Sequence, residues 1–132
     1  MSHWTVAKVR VAKVDERVLE RALKVLAEKL ETRVERSFLV KGHGGSRRCE
    51  YALPANLPFG NAYGVSLEGG RLTVYVDDYG AKSRGLPTAE EFAALLQQFY
   101  VVAAVATSAE EMNMKVEAFE REDGAIELLL VR

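Results

Sequence analysis

The stretch Tyr63–Val76, YGVSLEGGRLTVYV, places two alternating runs on either side of Gly69-Gly70. A Gly-Gly pair in this position is a strong hairpin signal, because the tight turns that join antiparallel strands need positive φ. The stretch therefore predicts two neighbouring antiparallel strands. The other predicted strands and helices are described below relative to this hairpin.

A long helix is predicted downstream of this hairpin. Thr88-Ala-Glu-Glu91 has the form of a capping box, in which the Thr hydroxyl accepts from a free backbone amide and the Glu carboxylate reaches back. The helix extends to about Glu111, and its apolar residues spread over a wide arc. We expect the sheet and a second subunit to cover that arc. The intervening segment Asp77–Pro87 is predicted to be a loop.

The N-terminal part predicts a strand followed by an amphipathic helix. Residues 4–13 alternate and are rich in β-branched types. Asp15 is placed to cap a helix that runs to about Glu31. Two further strands are predicted at Val34–Val40 and Arg48–Leu53.

A second hairpin is predicted at the C-terminal end, where Met112–Phe119 and Ala125–Val131 flank Asp123-Gly124. Its last strand is apolar on both faces. A monomer would then expose more apolar surface than monomeric proteins usually do, so we expect a homo-oligomer. The complete order is strand, helix, two strands, hairpin, helix and hairpin. It predicts a single α+β domain over residues 1–132, a two-layer sandwich of two helices on a mainly antiparallel sheet.

The net charge of −1 conceals a division along the chain. Residues 1–50 carry twelve Lys and Arg against seven Asp and Glu, whereas residues 51–132 carry six against twelve. Such a division favours either head-to-tail self-association, a basic face for an anionic partner, or two elements of opposite charge that fold onto each other.

Composition indicates a globular protein of the cytoplasm. The one cysteine permits no internal disulfide, which fits a reducing compartment. We find no secretion signal at the start and no apolar run that approaches the roughly 20 residues of a membrane helix, so we expect no membrane. The five Asn and Gln residues, with abundant Glu, Lys and Arg, resemble the composition of thermophile proteins.

The whole chain resembles the hypothetical chloroplast reading frame thirty-five family of small proteins. The resemblance begins with Met1-Ser-His-Trp4 and continues through a Gly-rich turn after Val40 and the central hairpin. It also includes the helix around Gln97-Gln-Phe-Tyr100 and the final hairpin. The chain departs from the family at Val101-Val-Ala-Ala104 and in the longer segment Leu53–Gly60. Because the family has no known function, the resemblance implies a fold and no catalytic residue.

A basic, Gly-rich segment follows the second predicted strand. Residues 41–48, KGHGGSRR, do not match a P-loop, because that motif needs a Lys and a Ser or Thr that open a helix. The segment predicts a surface turn that can bind anions through its cations and its flexible backbone. A plain solvated turn is the alternative.

A second Gly-flanked basic segment makes single-stranded nucleic acid an alternative partner. If the two segments meet, they form a basic groove with an aromatic side chain for stacking. The candidate anion- or nucleic-acid-binding residues are Lys41, His43, Arg47, Arg48, Tyr79, Lys82 and Arg84.

Catalytic and metal sites have weaker signals. Cys49 with His43 is a candidate thiolate pair, although a lone cysteine beside a strand is more often buried. His3 and His43 with Asp77 and Asp78 lack the usual metal-ligand spacing. We therefore expect no catalytic residue, no metal and no cofactor. The leading hypothesis is a non-enzymatic module that oligomerises and binds a macromolecular partner, such as another protein; a small enzyme with a site near His43 and Cys49 is a further alternative.

Overall fold

The structure is organised around the central hairpin. The computed structural model describes residues 4–9, 11, 13–42 and 45–131. In chain order, its elements are β1 (Trp4–Val9), α1 (Glu16–Lys29), β2 (Glu35–Gly42), β3 (Gly45–Pro54), β4 (Ala62–Glu68), β5 (Arg71–Asp77), α2 (Asp78–Ser83), α3 (Ala89–Glu111), β6 (Lys115–Glu120) and β7 (Ile126–Val131).

Five strands form one antiparallel sheet in the order β1-β5-β4-β3-β2. The predicted central hairpin is confirmed, because β4 and β5 pair across Gly69 and Gly70, which have φ of 57° and 79°. These positive values are the reason for the glycines at this turn. β1 pairs with β5, so the first strand closes the sheet on the side opposite β2.

α1 and α3 lie side by side on one face of the sheet, which confirms the α+β class. The Asp15 side chain caps α1 by accepting from Arg17 N at 2.9 Å. Thr88 and Glu91 form the predicted capping box of α3. The apolar stripe of α1 and one face of α3 then pack on alternate residues of the strands. The largest fully buried side chains include Leu19, Leu23, Leu26, Leu53, Tyr63, Leu72, Phe92 and Leu96.

The expected loop between β5 and α3 contains a short third helix, so the prediction of two helices was incomplete. Asp77 caps α2 by accepting from Gly80 N at 3.3 Å. Gly80 and Ala81 are buried, and a side chain on Gly80 would begin 3.0 Å from Pro58 Cδ. Tertiary packing therefore supports a helix that its own sequence disfavours.

β6 and β7 form a separate two-stranded sheet that packs against α3. The predicted C-terminal hairpin is thus present, although it does not extend the main sheet. Gln98 Nε2 donates to Gly124 O at 3.0 Å, and Lys29 pairs with Glu120 at 3.3 Å. These contacts fix the turn of the hairpin to α3 and its first strand to α1.

The division of charge is partly neutralised within the molecule. Arg17 lies 3.6 Å from Glu111, and Arg21 binds Glu110 through two hydrogen bonds of 2.8 and 3.0 Å. With Lys29–Glu120, they join basic α1 to the acidic C-terminal elements. These contacts agree with the third explanation of the charge division, in which two elements of opposite charge fold onto each other.

By length and composition alone, α3 is able to cross a membrane, although the sequence predicted no such segment. Within the fold, one face of α3 is buried on the sheet, with Phe92 and Leu96 inaccessible to solvent. The remaining apolar face is only partly covered. The expectation that the protein has no membrane partner stays a prediction.

Candidate functional site

The β2–β3 hairpin bends over the face of the sheet that is opposite the helices. β3 pairs with β4 only through Tyr51–Pro54, and its earlier residues pair with β2 alone. The bend brings Val40 and Cys49 onto Gly64 of β4, where a Cβ would lie 2.8 Å from Val40 Cγ2 and 2.6 Å from Cys49 Sγ. A second apolar cluster forms from Val40, Cys49, Ala52 and Ala62, with Phe38 and Tyr75 packed against it.

The structure places Arg47 and Arg48 on β3 and Lys41 on β2, rather than on a flexible loop. His43 lies outside the described residues. The predicted turn is shorter than expected, because β2 and β3 stay paired as far as Gly42 and Gly45. The paired strands lie over the second apolar cluster.

Arg47 is engaged within the protein. Its guanidinium forms an ion pair with Glu68 and lies 4.6 Å from the centroid of the Tyr75 ring. The Tyr75 hydroxyl donates to Glu68 Oε1 at 2.6 Å. Burial and this hydrogen bond raise the pKa of Tyr75 to about 12. An incoming anion would have to compete with Glu68 for Arg47.

Arg48 lines an open cavity of about 500 Å³ with mixed charge. Its Nη1 donates to Ser37 O at 2.7 Å. Arg36, on the same cavity, is paired with Glu20. The complete lining is Glu16, Arg36, Ser37, Arg48, Cys49, Glu50 and Tyr51. The carboxylates of Glu16 and Glu50 offset the two guanidinium groups, and Arg36 is already paired with Glu20, so this cavity is a poor anion site.

Cys49 is a buried thiol. Its side chain is 1% exposed, and burial raises its pKa to about 11. Because the thiolate is the nucleophile, a thiol with this pKa is inert at neutral pH. The buried, protonated thiol gives no support to a catalytic role for Cys49.

The two adjacent aspartates serve as local hydrogen-bond acceptors. Asp77 is fully buried and caps α2, and its Oδ2 has no hydrogen-bond partner among the described residues. Asp78 Oδ1 accepts from Ala89 N at 2.6 Å, which links α2 to the start of α3. His3 and His43 lie outside the part of the chain that the structure describes, in which no cluster of metal-ligating side chains occurs.

The end of β2 and the N-cap residue of α2 both lie beside Gly60. A side chain on Gly60 would begin 3.0 Å from Lys41 O and 3.3 Å from Asp77 Cβ. The end of β2 therefore lies beside the start of α2, which carries Tyr79 and Lys82 and ends at its C-cap Arg84. The Lys41 backbone therefore lies near the start of α2, whereas Arg48 lines the separate mixed-charge cavity.

An exposed aromatic residue that the sequence did not single out lies at the same place. Phe59, between Pro58 and Gly60, is 51% exposed, and Tyr79 is 57% exposed. Lys41, Lys82 and Arg84 are also exposed. We call this set the aromatic–basic surface: Lys41, Phe59, Tyr79, Lys82 and Arg84.

A second candidate surface is apolar and lies on the C-terminal hairpin. Phe119 and Leu129 are about half exposed on one face of the hairpin, since Leu129 pairs with Glu117 and residues two apart share a face, and we call them the apolar surface. Val101 of α3 and Leu130, on the opposite face of the hairpin, are also about half exposed. A cavity of about 260 Å³ separates the hairpin from the helices. Its lining is Arg21, Val25, Phe99, Val102, Ala103, Ala106, Val116, Ala118 and Ile126.

Comparison with protein-family models, with curated proteins and with solved structures finds no match to this chain. The resemblance to the hypothetical chloroplast reading frame thirty-five family therefore stays a prediction. The functional inference rests on the two surfaces alone.

Proposed function

We propose that this protein is a non-enzymatic module that self-associates and binds a macromolecular partner. The apolar surface carries this proposal. Phe119 and Leu129 each expose about half of a large apolar side chain on the same face of the hairpin. Scattered single hydrophobes are normal on a protein surface, whereas neighbouring ones are typical of an interaction site.

The architecture of the C-terminal hairpin supports the same proposal. A two-stranded sheet is only marginally stable in water unless a further strand or another layer covers it. Here α3 covers one face, and Phe119 and Leu129 remain on the other. A second molecule would supply the missing cover.

Light scattering coupled to gel filtration tests self-association. We expect a mass above that of the monomer at micromolar concentration, and dissociation on dilution. A strictly monomeric mass over the whole concentration range would contradict the proposal. The ion pairs between α1 and the C-terminal elements are internal, so raising the salt concentration is expected to change the mass little.

A second candidate function is the binding of single-stranded nucleic acid on the aromatic–basic surface. Proteins that bind single strands combine cations that follow the phosphates with aromatic rings on which the bases stack. Phe59 and Tyr79 are the exposed rings, and Lys41, Lys82 and Arg84 are the neighbouring cations. The surface is therefore suited to unpaired bases more than to a duplex.

Fluorescence anisotropy with labelled oligonucleotides tests this second function. We expect a single strand to bind more tightly than the corresponding duplex, because only unpaired bases can stack on exposed rings. Three phosphate contacts predict a slope of log K against log salt of about −2 for a single strand. Absence of binding at low salt would eliminate this function.

A further inference from the structure

The outer edge of β7 carries backbone groups that point away from its neighbour. Arg121 N donates to Ala125 O at 2.8 Å, which fixes the hydrogen-bonding phase of the hairpin. Because successive residues of a strand direct their N–H and C=O groups to opposite sides, those of Ile126, Leu128 and Leu130 face away from β6. They form an open edge in the part of the chain that the structure describes.

The composition of this edge is unusual for a strand exposed to water. Glu127 is the one charged residue of β7, and the other five residues are apolar. Natural proteins protect open edges with charges, prolines or bulges, because an apolar edge pairs readily with another strand. β6 is different, since Lys115, Glu117 and Glu120 are charged and the strand packs against α3.

We propose that β7 of a second copy pairs antiparallel with this edge, about a two-fold axis at Leu128. The proposal rests on the self-association proposed above and specifies its site and geometry. Leu128 then lies opposite Leu128 of the partner subunit, and Ile126 lies opposite Leu130 of the partner subunit. By symmetry there are three such residue pairs, and each exchanges two backbone hydrogen bonds, which gives about six in all.

The charges of β7 select this register. With the axis at Leu128, Glu127 lies opposite Leu129 of the partner subunit. With the axis at Glu127, two carboxylates would be directly opposed, which is destabilising. With the axis at Leu129, Ile126 would extend beyond the partner's β7, and two hydrogen-bonded pairs would form instead of three. The resulting sheet has four strands, which is enough for independent stability.

Site-specific cross-linking tests the register. In the proposed pairing, the two Leu128 Cα atoms are about 5.5 Å apart, within the range of a disulfide. Leu128→Cys should therefore form a covalent dimer under mild oxidation. Leu130→Cys is the matched control, because its two copies would lie about 13 Å apart along the strands. The native Cys49 is 1% exposed, so the unmodified protein reports the background.

A second variant does not depend on oxidation. Leu128→Pro removes an N–H group that points away from β6, so it blocks the open edge and spares the bonds within the hairpin. We expect a monomer with an unchanged circular dichroism spectrum. Leu129→Pro, which removes an N–H group directed at β6, should instead weaken the hairpin itself.

The outcomes separate the two proposals. A dimeric wild type, cross-linking of Leu128→Cys well above Leu130→Cys, and a monomeric Leu128→Pro would support edge pairing. A dimeric wild type whose mass is unaffected by Leu128→Pro and whose cysteine variants cross-link equally would overturn edge pairing while self-association stands. A monomeric wild type would overturn both.

Discussion

Gly64 and Cys49 lie so close together that a Cβ on Gly64 would be 2.6 Å from Cys49 Sγ. Val40 Cγ2 would be 2.8 Å from the same point. The contact joins the bent β2–β3 hairpin to β4, and it holds the second apolar cluster on the face opposite the helices. Asn61 holds the end of the same hairpin, because its Oδ1 accepts from Lys41 N at 2.7 Å and its Nδ2 donates to Leu39 O at 3.1 Å.

Replacement of Gly64 by alanine should therefore destabilise the protein. Inserting a methyl group into a well-packed cluster costs about 1–3 kcal/mol. The free energy of unfolding in urea measures the effect. Cys49→Ala in the same background removes the closer of the two obstructing atoms and should recover part of the loss. Equal stability of Gly64→Ala and the wild type would show that the hairpin is not seated as described.

Loss of the α3 cap should be measurable in thermal unfolding. Thr88 accepts from Glu91 N, and the Glu91 carboxylate accepts from Thr88 N. Thr88→Ala is expected to cost about 1 kcal/mol. Thr88→Ser keeps the hydroxyl and is the matched control. If both variants unfold at the same temperature, the capping box does not stabilise α3.

Stability should fall at alkaline pH because buried acids are held in their neutral form. Burial raises the pKa of Cys49 from 9.0 to about 11 and that of Tyr75 from 10.0 to about 12. The unfolded chain releases these protons first, so the stabilisation is complete below about pH 9 and is lost as pH rises through the folded values. Urea midpoints at increasing pH measure the decline. Tyr75→Phe should show a smaller decline above about pH 10.

Cys49 should resist thiol reagents in the native state. It is 1% exposed, and its raised pKa keeps the thiol protonated at neutral pH. We expect negligible labelling of the folded protein and full labelling in denaturant. Rapid labelling under native conditions would contradict the buried position of Cys49 and would reopen the possibility of a reactive thiol.

The aromatic–basic surface predicts separable effects on single-strand binding. Tyr79→Ala should weaken binding by about 1–3 kcal/mol for the loss of one stacked base, with little change in salt dependence. Lys82→Ala should reduce the salt slope by about 0.7. Lys24→Ala, on the exposed face of α1, is the control and should change neither quantity. If Lys24→Ala has the same effect as Lys82→Ala, the binding is non-specific.

Local signals in the sequence were sufficient for much of the fold. Gly69-Gly70 between alternating runs predicted the central hairpin, and the caps at Asp15 and Thr88 predicted where α1 and α3 begin. In each instance the residues that determine the structure are neighbours in the chain. Such features are accessible to pattern and propensity alone.

The features that were missed depend on distant contacts. Alternation along β3 places Cys49 on the same face as Tyr51, yet the bend sends Cys49 to the second cluster. α2 contains Gly80, which argues against a helix, and it forms because Asp77 caps it and Ala81 is buried. Phe59 had no local signal, since only the fold shows that this ring is exposed.

Hydrogen exchange at the amides of β7 tests edge pairing most directly. If a second copy pairs with this strand, the amides of Ile126, Leu128 and Leu130 should be protected at high protein concentration and should lose protection on dilution. The amides of Glu127 and Leu129, which face β6, should stay protected throughout. Rapid exchange at the three outward amides at every concentration, with Glu127 and Leu129 protected, would contradict the account.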